Sequence, residues 1–188
     1  MFEEIWNKRS GREVGTGKHD LFEQTILPYL NSAYNLARWL TRNEHDAEDI
    51  VQEAFLRALR SFHSFVPGRD ARAWFLTIVR NSCRTWHRQR RPHEMIPIED
   101  DSQPAVAAWS DPEAVLIKNA DSQRIHQALE ELPFEYREVL ILRELEELSY
   151  KEISQVVAIP LGTVMSRLSR ARKELYIRLG KVTGEMKR

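Results

Sequence analysis

A chain of 188 residues with 42% hydrophobic content can bury one ordinary core or two small ones. Seven Gly and eight Pro supply strand-and-turn architectures poorly, whereas the Leu, Ala, Glu, Arg and Gln content suits helices, so the expected class is all-α. The single cysteine, Cys83, excludes an internal disulfide or a multi-cysteine zinc site, and a formal net charge of zero excludes a uniformly basic or acidic protein.

The opening MFEEIWNKRS lacks the apolar core of a signal peptide, and no apolar run approaches the ~18 to 20 residues that span a bilayer. A reducing, cytoplasmic setting without membrane insertion is expected. Residues 1–18 are polar and hold Gly11, Gly15 and Gly17, the composition of a mobile tail.

From Asp20 a helical period begins, with Leu21, Ile26, Leu30, Ala33, Leu36, Ala37 and Leu40 on one side and Pro28 placed to bend or divide the segment. A second helix is predicted from Glu44 to Phe62, its buried stripe formed by Ile50, Ala54, Ala58 and Phe62. Glu44, Asp46, Glu48, Asp49 and Glu53 make this stretch acidic, with no Lys or Arg between them. VPGRD then marks a loop.

The next helix, Ala71 to Arg91, carries Arg72, Arg80, Arg84, Arg88, Arg90 and Arg91 and no acid. At ~100° per residue, Phe75, Ile78, Val79, Ser82 and Trp86 share one side and Arg80, Arg84, Arg88 and Arg91 lie roughly opposite, so one face is core and the other cationic. A solvated surface would explain such a stripe. Its neighbours Trp74, Phe75, Trp86 and His87 supply the mix with which proteins grip phosphates and stack unpaired bases, although most of these aromatics belong to the core. Cys83 is expected to be a partly buried helix residue.

Residues 92–112 contain Pro92, Pro97, Pro104 and Pro112 amid acids and show no period, which predicts a flexible acidic linker between two small helical domains, 19–91 and 113–180. The second domain is predicted as helices from Glu113 to Glu131, Phe134 to Leu145, Ser149 to Val157 and Leu161 to Leu179, with a tail at 181–188. Ser149 and Glu152 are spaced as a capping box. Ile153 and Val156, with Val164, Leu168, Ala171 and Leu175, give a short helix and a longer one a buried stripe each, which is the pattern of a helix-turn-helix.

Opposite that stripe lie Ser166, Ser169, Arg170 and Lys173, flanked by Thr163, Met165, Arg167 and Arg172. A major groove admits such a helix, and Arg and Ser hydrogen-bond base edges or phosphates. The charge alone would favour a solvated bundle helix; the compact helix-turn-helix spacing reverses that preference toward DNA.

These segments together resemble the extracytoplasmic-function class of bacterial RNA polymerase sigma factors, from Asp20 to Leu179. DAEDIVQEAFLRAL resembles the family's polymerase-binding segment, FVPGRDARAWFLTIVRNSCRTWHRQRR its promoter-opening and minus-ten segment, and LPFEYREVLILRELEELSYKEISQVVAIPLGTVMSRLSRARKEL its minus-thirty-five domain. The resemblance implies a factor that binds core polymerase and directs it to promoters, without enzymatic activity, cofactor or metal. It assigns Asp46, Asp49, Gln52, Glu53 and Phe55 to the coiled coil of the polymerase β′ subunit. The loop Val66, Pro67, Gly68, Arg69 and Asp70, with Arg80, Asn81, Arg84 and Arg88, would take the minus-ten element. Thr163, Met165, Ser166, Arg167, Ser169, Arg170 and Lys173 would take the minus-thirty-five element. Implied partners are core RNA polymerase, through its β′ and β subunits, promoter DNA and an anti-sigma factor; the linker would lie along the polymerase RNA channel.

The sequence departs from the family pattern at two positions. Ala158 stands in the turn where Gly is usual, and a left-handed residue there costs roughly 1 kcal/mol. Met165 stands where a basic residue is common. Two competing readings come from the residues themselves: a helix-turn-helix regulator that binds DNA alone, and a metal-dependent phosphohydrolase suggested by His45-Asp46, which lacks the further ligands such a site needs.

Overall fold

The computed structural model describes residues 17–90 and 123–185, and every regular element among them is helical. Most of the expected N-terminal tail, residues 91–122, which hold Arg91, the linker and the start of the helix expected from Glu113, and residues 186–188 lie outside the described residues.

Helix α1 (Gly17–Ile26) passes through a single 3-10 turn at Leu27–Tyr29 into α2 (Leu30–Thr41), so Pro28 divides the first segment at the second position of a new turn, where its missing N–H is harmless. Arg42 then adopts φ 62° and Asn43 caps α3 (Glu44–Ser61), its side chain accepting from Asp46 N at 3.0 Å. This two-residue reversal lays α2 antiparallel on α3. A 3-10 turn at Phe62–Ser64 leads into the VPGRD loop, and α4 (Ala71–Arg90) closes the N-terminal domain against α2 and α3.

In the C-terminal domain the described residues start within α5 (123–130), followed by α6 (Phe134–Leu140), which loosens into a π-helical turn at Ile141–Leu145. Helix α7 (Tyr150–Val157) starts on the expected capping box, complete in both directions between Ser149 and Glu152, and this hydrogen bonding holds the Glu152 carboxyl below its ordinary range. Ala158 does take the left-handed conformation, at φ 56°. The side chain of Ser154 braces the turn by donating to the Ile159 carbonyl at 2.6 Å, which offsets part of the cost of placing a Cβ there.

Helix α8 (Leu161–Glu185) runs six residues beyond the expected end at Leu179. Nothing in Gly180 to Glu185 breaks a helix outright, since Gly only weakens one. Part of the expected C-terminal tail is therefore helix.

The two domains pack on each other. One buried cluster runs from Phe22, Leu36 and Phe55 through Phe75, Leu76 and Val79 to Leu142, Ile153 and Leu168, and α7 packs on α4 while α6 packs on α2. Cys83, expected to be partly buried, is fully enclosed, because α4 has neighbours on both sides; burial pushes its thiol up to about 12.

Candidate nucleic-acid and partner interfaces

On α3 the buried stripe of Ala47, Ile50, Val51, Ala54 and Ala58 turns Asp49, Gln52 and Glu53 outward. Glu53 meets Arg57 one turn on, at 2.5 Å, a surface pair of small energetic weight. Asp46 is more constrained: Trp86 Nε1 donates to it at 3.2 Å, and both terminal nitrogens of Arg90 reach it at 2.9 and 3.0 Å while that guanidinium lies 4.8 Å from the Trp86 ring centre. Phe55 is not part of this face. It lies in the core with its ring edge-on to Phe22 at 5.0 Å. Leu56, by contrast, is 45% exposed beside Gln52 and Glu53, an apolar anchor that the helical period alone does not single out.

The loop from Val66 to Asp70 is exposed throughout. Gly68 sits at φ 89°, a conformation that strains other residues, and Asp70 caps α4 by accepting from Ala73 N at 3.1 Å. Beneath the loop, Phe62 and Phe65 stack at 5.6 Å and Trp74 lies tilted 5.3 Å from Phe65. His19, Phe22, Phe62, Phe65, Pro67 and Arg69 border an open cavity of about 740 Å³. Its walls are apolar and aromatic, with a cation at the mouth, and they suit a flat ring that has left a base stack.

Along α4, Asn81, Arg84 and Arg88 are exposed as the period predicts. Arg80 is not. It is 4% exposed and held by Glu138 of α6, Nε to Oε2 at 2.7 Å and Nη2 to Oε1 at 3.1 Å. The cationic face read from the helical period is covered at this position by the C-terminal domain. Burial raises the Glu138 carboxyl above its ordinary range, and the hydrogen bonds from Arg80 pull it back.

Helix α8 buries Val164, Leu168 and Ala171 and exposes Met165, Ser166, Ser169, Arg170 and Lys173, with Thr163 half-buried at the entry. Arg167 turns toward the protein, 3.4 Å from Glu138 Oε1. Arg172 pairs with Glu144 at 2.7 Å. Among the described residues no group of His, Cys, Asp and Glu is arranged to hold a metal ion, and no helix is long and apolar enough to cross a membrane.

Residues 25–93 match the family described as Sigma-70 region 2, and residues 122–175 match Sigma-70, region 4. The chain is 31% identical to the ECF RNA polymerase sigma factor SigW of Bacillus subtilis, over 92% of this chain and 96% of that one. It is 30% identical to the ECF RNA polymerase sigma-E factor of Escherichia coli, over 93% and 95%. The chain belongs to the extracytoplasmic-function class of RNA polymerase sigma factors.

The fold of this sigma factor is similar to that of the sigma factor RpoE of Bartonella quintana, solved with the anti-sigma factor NepR. The TM-score is 0.69 at 29% identity, covering 85% of this chain and 96% of that one. It is also similar to CnrH, solved with the cytosolic domain of CnrY, with a TM-score of 0.64 at 26% identity, covering 87% and 90%. As a sigma factor it binds core RNA polymerase, recognises promoter elements and promotes initiation, and it performs no bond chemistry of its own.

Proposed function

We propose that this sigma factor divides its work among three surfaces. Asp49, Gln52 and Glu53, with Leu56 at their centre and Asp46 fixed at the helix start, meet the coiled coil of the polymerase β′ subunit. An acidic face with an apolar centre supports that reading, since charge speeds and orients docking while the buried side chain supplies affinity. The domain from 19 to 91 also takes the minus-ten element: the 66–70 loop and its aromatic cavity receive bases that leave the stack, and Arg80, Asn81, Arg84 and Arg88 follow the backbone. Asp70 contributes by capping α4 and so fixing the loop, and Gly68 by allowing its bend.

The domain from 113 to 180 takes the minus-thirty-five element and touches the polymerase β subunit. Ser166, Ser169 and Arg170, with Met165 at the edge, face base edges, while Thr163, Arg167 and Lys173 serve the phosphates. Residues 92–112 connect the two domains along the RNA channel. Because the relatives RpoE and CnrH were solved with NepR and with CnrY, we further propose control by an anti-sigma protein. The site of action is the cytoplasm, where polymerase is.

The observation that carries this reading is the separation of charge by surface: acids exposed on α3, Arg and Ser exposed on α8 within a capped helix-turn-helix. Gel shifts on promoter-bearing DNA with and without core polymerase test it. Specific binding is expected only with polymerase; tight specific binding by the free chain would instead favour a stand-alone regulator.

A further inference from the structure

The seam between the domains joins residues that the functional reading sends to DNA. Glu138 is fully buried and grips Arg80 at two points, while its Oε1 also lies 3.4 Å from Nη1 of Arg167 on the recognition helix. Arg80 in turn donates to Asn81 Oδ1 at 3.3 Å. A single carboxylate thus engages one cation from each DNA-reading helix.

A second contact repeats the pattern. The π-helical turn after α6 leaves Glu146 only 3% exposed, and it meets Arg72 of α4 at 2.5 Å, with Ser32 accepting from the same nitrogen of Arg72 at 3.1 Å. Around these pairs, His87 stacks on Phe134 at 4.8 Å and Trp39 on His126 at 4.3 Å, and Arg42 donates to the Glu130 carbonyl.

We propose that Glu138 is an internal stand-in for a DNA phosphate, holding the free chain in a closed form that cannot grip nucleic acid but can still dock on polymerase. The inference rests on the assignment of α4 and α8 to promoter DNA. A carboxylate in a guanidinium fork presents two acceptor oxygens, as a phosphate does. Two Arg around one Glu leave the site with surplus positive charge, so a polyanion can replace the carboxylate once the seam parts.

Energetics suit a latch that reopens. A buried ion pair gains little net free energy, because desolvation consumes most of the attraction; it selects one arrangement more than it stabilises it. Meanwhile Asp49, Gln52 and Glu53 lie exposed in the closed form. Polymerase therefore engages first, and DNA reading follows as the domains part.

The test uses the full chain with donor and acceptor dyes on cysteines placed at Arg60 and Gln155, both exposed, Cys83 being enclosed. The DNA probe is a fluorescein-labelled 20-nucleotide single strand of mixed sequence, titrated against unlabelled protein. Glu138→Gln keeps the shape and removes the charge, and it is expected to lower energy transfer and to bind the probe at least fivefold tighter than wild type. Adding Arg80→Ala should abolish that gain, which general loosening would not do. Glu146→Gln offers a second route to the same opening if Glu138→Gln does not fold. A Trp39→Cys, His126→Cys chain bridged by a cleavable bis-maleimide should keep weak DNA binding even with Glu138→Gln, and release it on cleavage.

Unchanged energy transfer and affinity in folded Glu138→Gln would overturn the latch. So would an opened chain that binds the probe no better, or a bridged chain that binds as tightly as the open one. Run-off transcription by wild type with core polymerase separates the two levels: its failure sinks the sigma-factor assignment of these surfaces, whereas its success with an inert Glu138 sinks only the latch.

Discussion

Arg80 of α4 and Glu138 of α6, 58 residues apart in sequence, form a two-point ion pair at 2.7 and 3.1 Å with almost no solvent access. Removing either partner leaves the other charge buried without its counterpart, a situation worth about 3 to 5 kcal/mol when the structure cannot relax. Parting of the domains would relieve it. Arg80→Ala and Glu138→Ala are therefore each expected to destabilise the chain in urea, and the double variant to lose less than their sum, by about 0.5 to 3 kcal/mol. Additive losses would mean that the two side chains are not coupled.

Asp49→Lys with Glu53→Lys is expected to weaken binding to core polymerase, because attraction becomes repulsion at a charged docking face. Both side chains point away from Ile50, Ala54 and Ala58, so helicity and melting should change little. Loss of the Glu53–Arg57 pair costs well under about 1 kcal/mol at this exposure. A folded double variant that competes normally for polymerase would move the interface elsewhere.

Ala158→Gly should stabilise the protein by up to about 1 kcal/mol, since a left-handed residue at φ 56° loses its steric penalty. Urea unfolding measures it. A destabilised variant would show that the Ser154 brace already absorbs the strain and that the extra freedom of Gly in the unfolded chain dominates.

Cys83 should resist alkylation at pH 8 in the native chain and react at least tenfold faster in urea, because its thiol, pushed up to about 12 by burial, forms almost no thiolate. Prompt stoichiometric labelling of folded protein would place α4 outside the core.

Most of this architecture was legible from local rules. Pro28 divides the first segment, Ser149 opens a helix as a capping residue does, and the period of Val164, Leu168 and Ala171 sets the face that α8 leaves exposed. What local rules could not reach depends on partners distant in the chain. Periodicity puts Arg80 on the cationic side of α4, about 140° from Phe75; only the docking of α6 shows that the position is interior. Phe55 stands at the flank of the buried stripe of α3, and only the packing of Phe22 against it shows that the position is interior. Glu146 looks like one acid among several in RELEEL until the π-helical turn tucks it against Arg72.

Run-off transcription with purified core polymerase on a library of promoter variants, at several salt concentrations, tests the central claim most directly. Wild type should yield transcripts from a subset sharing two elements. Arg170→Ala should flatten preference at one upstream position and cost about 1 to 3 kcal/mol there, through loss of a two-point donor to a base. Lys173→Ala should lower yield evenly and reduce the salt slope by about one unit, one counterion fewer being released. Folded wild-type chain that gives no transcripts with polymerase, or two variants that act alike, would contradict the account.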